Sequence, residues 1–281
     1  MPDPAPSGQV PVLTEAPGRG RVVSVAFLER APWWALVLLI GGIVIITAML
    51  RSPVYVETYR FLAPAIIITI QVAVYAYVLA MILGLIAALG QISHNPFFST
   101  PARLYVEVVR GVPLLVQIIY IAFVLTPALA DVFTYGARLP QVGLWFRHDI
   151  VRAVLALGIG YGAYLAEVYR AGIQSIAKGQ TEAARSLGMT PWQTMRHVVL
   201  PQAIRVILPP LGNDFVSMLK DSSLASVISV QELTYSGQLL NARTFRSFET
   251  YNMVALLYLI MTLIGSLGVR GLERWASRGR H

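Results

Sequence analysis

Apolar stretches alternate with short polar ones along the chain. Six of them are long enough to be read as helices through a bilayer. The first, Trp33–Leu50, is an uncharged run of 18 residues, near the lower length for a span. Trp33 and Trp34 suit its interface, and Arg51-Ser52-Pro53 ends it. The second runs from Phe61 to Ile92, with Gly84 and Gly90 placed for close helix contacts. Val112–Leu129, starting beside Pro113, is the third and Val154–Ile176 the fourth. Val206–Val230 is the fifth and Tyr251–Leu267 the sixth. The segments between them, 94–110, 131–152 and 231–250, are polar. Met1–Ala31 is rich in proline and glycine without apolar periodicity and reads as a mobile tail. The leader is long and no small-residue cleavage site follows it clearly, so the first run is expected to stay as a span.

The fifth stretch is irregular. Pro209-Pro210 and Gly212 are expected to break its helix, and Lys220-Asp221-Ser222-Ser223 to interrupt it. Irregular backbone at membrane depth survives only against protein or a water-filled cavity, which marks this segment as a translocation path.

A second polar stretch, Lys178–Arg205, lies between the fourth and fifth spans but carries helix signals. Gln180–Leu187 has good helix formers, and Gly188 suits a helix end with positive φ. Thr190-Pro191-Trp192-Gln193 then reads as a cap, a first-turn proline and the partner of a capping box. The second helix is expected to reach Leu200, where Pro201 ends or kinks it. Trp192, Met195 and Val199 form an apolar stripe, and Ala183, Ala184 and Leu187 a smaller patch. Such faces need a cover: either the chain's own membrane domain or a cytoplasmic partner.

Composition sharpens this. The 281 residues are 56% hydrophobic and 13% charged, with mean hydropathy +0.63, well below the roughly 25% charge of a soluble domain. This is the composition of an integral membrane protein. There are no cysteines, hence no disulfide or thiol chemistry. His94, His148, His197 and His281 lack metal-ligand spacing, and no metal, cofactor or nucleic acid is expected. Six spans put both termini on one side. The arginines of the tail, Arg103, Arg110, the 178–205 stretch and the C-terminal arginines bias that side towards the cytoplasm.

Glu182-Ala183-Ala184, three residues, Gly188, nine residues, Val198, one residue and Leu200-Pro201 resemble the EAA loop of permease subunits of ABC importers, with Val198 where the family often has Ile. The text from Gly162-Ala163-Tyr164 through Ser223-Leu224-Ala225-Ser226-Val227-Ile228 is similar to the polar amino acid uptake branch. The resemblance covers roughly Pro64 to Trp275. It implies an all-α, polytopic fold of about six transmembrane helices, the type I importer permease fold. The domains would be a tail (1–31), an additional first helix with an external loop (32–60), the permease domain (61–275) and a C-terminal tail (276–281). It also implies two ATPase subunits docked on the loop, a second permease, identical or paralogous, an external substrate-binding protein, and residence among the lipids of the cytoplasmic membrane. Substrates would be polar amino acids or relatives such as opines. The coupling residues carried over are Glu182, Ala183, Ala184, Gly188, Trp192, Leu200 and Pro201. Glu182 is the family's acidic contact residue; a first-turn helix-dipole role is its other reading. Arg110-Gly111-Val112-Pro113 matches the family's Arg-Gly-x-Pro start of a span and is assigned a structural role.

No Gly-x-x-x-x-Gly-Lys-Ser/Thr run and no catalytic constellation is present, so ATP hydrolysis is expected from another polypeptide and the chain is not read as an enzyme. Ionisable residues inside spans are functional candidates, at roughly 2.5–3.5 kcal/mol each on insertion scales. Glu167 and Lys220 either line a path for a zwitterion or form an internal ion pair. Asn213, Asp214 and Ser222 join them as path candidates, with helix-to-helix hydrogen bonding as the alternative. Gly158, Gly162 and Ala166 share one face of the fourth span and admit a close neighbour, from this chain or from a second permease. A passive channel or a secondary transporter is the competing function. It would need a relay of several buried carboxylates and leaves the loop unexplained.

Overall fold

The structure, a computed structural model, describes residues 40–43, 47, 49 and 51–277. The chain divides into two compact units, Met1–Arg51 and Ser52–His281. In the first, Ile40–Ile43 are helical. The tail expected over 1–31, most of the first apolar run and residues 278–281 lie outside the described residues. The second unit is built of helices, and no strand occurs among the described residues.

α1 (Pro53–Ile92) has 40 residues and is about 60 Å long, twice the roughly 30 Å hydrocarbon core. It starts well before Phe61, where the apolar run begins, so residues expected in an external loop are its first turns. Extended Ser52 followed by Pro53 at the first helical position explains the start, and nothing between Tyr55 and Arg60 opposes continuation. α2 (Pro96–Gly111) replaces the expected polar connection. Asn95 caps it, its side-chain oxygen accepting from the Phe97 N–H at 2.9 Å.

The third span reaches from Leu114 to Gly136, longer than Val112–Leu129. α3 (Leu114–Tyr120) passes through a π turn at Ile121–Leu125 into α4 (Thr126–Asp131), and a second π turn follows at Val132–Gly136. The first π turn stands just before Pro127, whose ring clashes with the carbonyl four residues back in a regular helix. α5 (Pro140–Phe146) crosses the expected loop, and α6 (Asp149–Gln174) is the fourth span.

After α7 (Lys178–Ser186) and α8 (Pro191–Thr194), a π turn at Met195–Val199 leads without interruption into α9 (Leu200–Asp221). Two expectations are corrected here. Pro201 does not end the helix, because the π turn precedes it as at Pro127. Pro209-Pro210 and Gly212 do not break it either. Gly212 gives room to Val269, which lies where its Cβ would be. The break comes at Ser222, where the α-helix gives way to a 3₁₀ segment (Ser222–Ile228) that ends at left-handed Ser229, φ 65°. α10 (Leu233–Thr244) and α11 (Ser247–Ser277) complete the unit. Among the described residues four helical stretches are long and apolar enough to cross a membrane: Pro53–Ile92, Leu114–Gly136, Asp149–Gln174 and Ser247–Gly271.

α1 and α6 form the longest helix contact. A Cβ on Gly84 would sit 2.8 Å from Leu165 Cβ and 3.0 Å from the Gly162 carbonyl oxygen. One on Gly158 would sit 2.6 Å from Leu79. The small-residue face read on the fourth span therefore packs within the chain. Gly90 plays the same part for α2, facing Ala102. Around the seam, Val72, Ala76, Ala80, Ala156, Leu157 and Met218 are buried.

A second junction was not foreseen. Glu232 is fully buried and caps α10. Its carboxylate accepts the Thr234 and Tyr235 N–H groups at 2.9 and 2.8 Å and the Tyr258 hydroxyl of α11 at 2.6 Å. The next residue, Leu233, donates its N–H to Thr69 of α1 at 3.0 Å. Three helices meet there.

Gly84→Val should destabilise the unit by about 1–3 kcal/mol, because the blocking atoms include backbone that cannot move aside. Gly111→Ala, with open space around it, is the neutral control. Thermal unfolding in detergent distinguishes them.

Candidate functional site

Two groups of residues stand out: the connection between α6 and α9, and the polar side chains where α2, α6 and α9 approach.

α7 ends in a Schellman arrangement. The Met189 N–H reaches the Ala184 carbonyl at 3.2 Å, and the Gly188 N–H reaches that of Arg185 at 2.9 Å. Gly188 has φ +81°, as its position predicted. Thr190 then opens α8 with a full capping box. Its hydroxyl accepts the Gln193 N–H at 3.3 Å, and the Gln193 side chain accepts the Thr190 N–H at 2.9 Å. Glu182 is exposed and lies beyond the first turn, since α7 starts at Lys178 rather than Gln180. The helix-dipole reading of Glu182 is thereby corrected.

The stripe Trp192, Met195 and Val199 divides. Val199 is buried and Trp192 is 69% exposed. The π turn between them takes up one residue more than an α turn and shifts the phase of the face. On α7, Ala184 is buried, Ala183 is exposed and Leu187 is 83% exposed. Leu200 and Pro201 are also exposed. The connection is thus packed on one side and presents Ala183, Leu187 and Trp192 on the other, around the Gly188 turn. The chain's own membrane domain thus covers only part of it.

In the second group, Glu167 of α6 pairs with Arg170 at 2.5 Å and lies 4.0 Å from Arg110, at the end of α2. The Arg110 guanidinium sits 5.5 Å from the centre of the Tyr164 ring. A small cavity of about 250 Å³ is bounded by Glu167, Gln91, Arg103, Glu107 and Arg110. Arg110, read as structural, is therefore part of the polar group around Glu167.

Asn213 and Lys220 of α9 are exposed. Lys220 forms no ion pair with Glu167 among the described residues; Arg170 and Arg110 are that carboxylate's partners. Asp214 is half-buried. Ser222 is buried, its hydroxyl turned back to the Leu219 carbonyl at 2.8 Å. The Tyr161 hydroxyl donates to the Asp221 carboxylate at 2.5 Å, at the point where α9 stops being an α-helix. Tyr77 donates to the Leu211 carbonyl at 2.5 Å.

Sequence reasoning missed Tyr77, Tyr161 and the partnership of Asp221. The available signal was a pair of tyrosines inside spans rather than in the interfacial belts where they usually gather. Glu232 gave no such signal, because glutamate is not a favoured N-cap.

The arrangement is that of a helical membrane protein with a stiff extramembrane connection and a discontinuous, polar-lined helix. Its long apolar helices are those of a multi-pass membrane protein. Comparison with known proteins gives the family. Residues 80–279 match the binding-protein-dependent transport system inner membrane components, and the chain belongs to that family. It is 38% identical over 207 residues to the glutamine transport system permease protein of Escherichia coli (strain K12), covering 73% of this chain and 88% of that one. It is 33% identical over 222 residues to the nopaline transport system permease protein of Agrobacterium fabrum, covering 78% and 89%. A crystal structure of an amino acid ABC transporter with histidines superposes with a TM-score of 0.66 at 38% identity, covering 78% of this chain and 95% of that one.

Thr190→Ala should cost about 1 kcal/mol by removing the cap. Local hydrogen exchange over 190–199 should rise while the spans stay protected.

Proposed function

We propose that this chain is the permease subunit of an ATP-driven importer of polar amino acids or opine-like relatives. The exposed Leu187 and Trp192 beside the Gly188 turn carry the reading. They are apolar anchors outside the spans, on a connection already braced from beneath, and so suited to the groove of a partner. The partner is the ATPase subunit, one for each of two permeases, the second permease being identical or paralogous. Both termini and the connection face the cytoplasm, in keeping with the arginine bias. An external binding protein delivers substrate to the opposite face. Residues 61–275 form the permease domain.

ATP binding draws the ATPases together and shifts α7 and α8, and α9 passes the movement to the break at Ser222. Along this path Glu167, Asn213, Asp214 and Lys220 face the substrate, with Arg110 and Tyr161 beside them, while Ser222, buried and bonded to the Leu219 carbonyl, marks the break. The exposed, unpaired Lys220 favours the zwitterion-path reading of that residue over the ion-pair one. The names of the glutamine and nopaline permeases support substrates carrying an ammonium and one or more carboxylates.

Tagged protein isolated in mild detergent should bring down an ATPase and a substrate-binding protein. Reconstituted with them, it should take up radiolabelled glutamine only with ATP. A chain that purifies alone and lets the solute equilibrate without ATP would instead be a channel. Gly188→Trp should abolish uptake with normal membrane insertion, because a bulky side chain is strained at φ +81° and occupies the docking face. Lys220→Ala should raise the KM for uptake about tenfold or more, the loss expected for one charged hydrogen bond. An unaltered KM would remove Lys220 from the path.

A further inference from the structure

At the far end of the molecule from the ATPase-facing connection, the turn between α10 and α11 has an unusual form. Phe245 is left-handed, φ 56°, and its N–H closes α10 on the Asn241 carbonyl at 2.8 Å. Where a helix ends on a left-handed residue, that residue is usually glycine. Here a large apolar side chain is held there 87% exposed, and Phe248 beside it is 75% exposed. Neither ring stabilises the chain that displays it.

The turn is braced rather than loose. Arg243 lies over the Phe61 ring at 5.7 Å, and Arg246 lies 3.8 Å from Glu57, both on α1. Those contacts also fix its height. α1 and α6 run parallel, Leu79 facing Gly158 and Leu83 facing Gly162, so Ile92 lies towards the 178–201 connection and Glu57 on the opposite side. Glu57 lies four residues, about 6 Å, before Phe61, where the apolar run begins, so the turn stands at the outer edge of that run rather than within it.

Its charge points to the partner. At this end Arg147 holds Asp131 and Arg152 holds Asp149. Beside the turn itself Arg60, Arg243 and Arg246 stand against Glu249 and against Glu57, which Arg246 pairs, a net basic surface next to two exposed rings.

We propose that the turn Arg243–Phe248 is a docking contact for an acidic surface of the external binding protein, with Phe245 as its apolar anchor. The proposal rests on the importer reading above and adds the contact residues. Its chemistry is one ring inserted at the centre and guanidinium groups steering from the rim.

Phe245→Gly separates docking from folding, because glycine relieves the left-handed backbone while removing the ring. The complex of permeases and ATPases would be placed in nanodiscs, and its ATPase rate followed while the host binding protein that stimulates the wild type is titrated in. For Phe245→Gly the concentration giving half-maximal stimulation should rise about tenfold or more, with unchanged basal rate and no loss of thermal stability. Arg246→Ala should raise it less at low salt and hardly at all at high salt. A Phe245→Gly curve that superimposes on the wild type overturns the contact while leaving the importer intact. A wild-type complex that no binding protein of the host stimulates defeats both readings. Because the chain has no cysteine, Phe245→Cys is a unique attachment point for a thiol-specific photocrosslinker. A covalent product with the binding protein supports the contact; a product with lipid alone overturns it.

Discussion

With no water in a bilayer, helices gain little by hiding apolar side chains from one another, and close backbone approach has to hold them instead. The seam between α1 and α6 works this way. At Gly84, Gly158 and Gly162 a Cβ would meet its neighbour at 2.6–3.0 Å. The two axes approach because these residues have no side chain to separate them. Ala166, fully buried, continues the line. The polar groups of the candidate site hang from this pair. Tyr161 and Glu167 are presented by α6 at depths the seam determines, Tyr77 by α1, and both tyrosines reach across to α9.

The polar groups are placed where regular helix stops. α2 ends at Gly111, and Arg110 turns to the ring of Tyr164 and the carboxylate of Glu167. α9 ends at Asp221, whose carboxylate takes the Tyr161 hydroxyl. Freed backbone groups at such ends need partners, and membrane proteins provide them only next to protein or a wet cavity. The Glu232 junction does the corresponding job where the 3₁₀ segment gives way to α10. It satisfies the start of α10 from within and ties α10 to α11 directly and to α1 through Leu233.

Much of the coupling connection was legible in the sequence because its determinants are local. Gly188 is where a left-handed residue was required, and Thr190, Pro191 and Gln193 formed the capping box their spacing implied. The prolines misled for a non-local reason. A π turn ahead of Pro201 absorbs its ring, and α9 runs on through Pro209-Pro210. The exposure of Trp192 against the burial of Val199 could not be read either, since the same π turn shifts the helical phase between them. Polar partnerships such as Tyr161 with Asp221, 60 residues apart, depend on the fold itself and carry no sequence spacing.

The unbroken run of helix from Pro191 to Asp221 has a mechanical consequence. It is about 46 Å long at 1.5 Å per residue, with Trp192 near one end and the Lys220–Ser222 break at the other. Its contacts with α6 and α11 lie between those ends, so a turn of about 5° about its middle would move each end by about 2 Å. In the importer reading proposed above, a rearrangement at Trp192 would reach the Lys220–Ser222 break through a single rigid element.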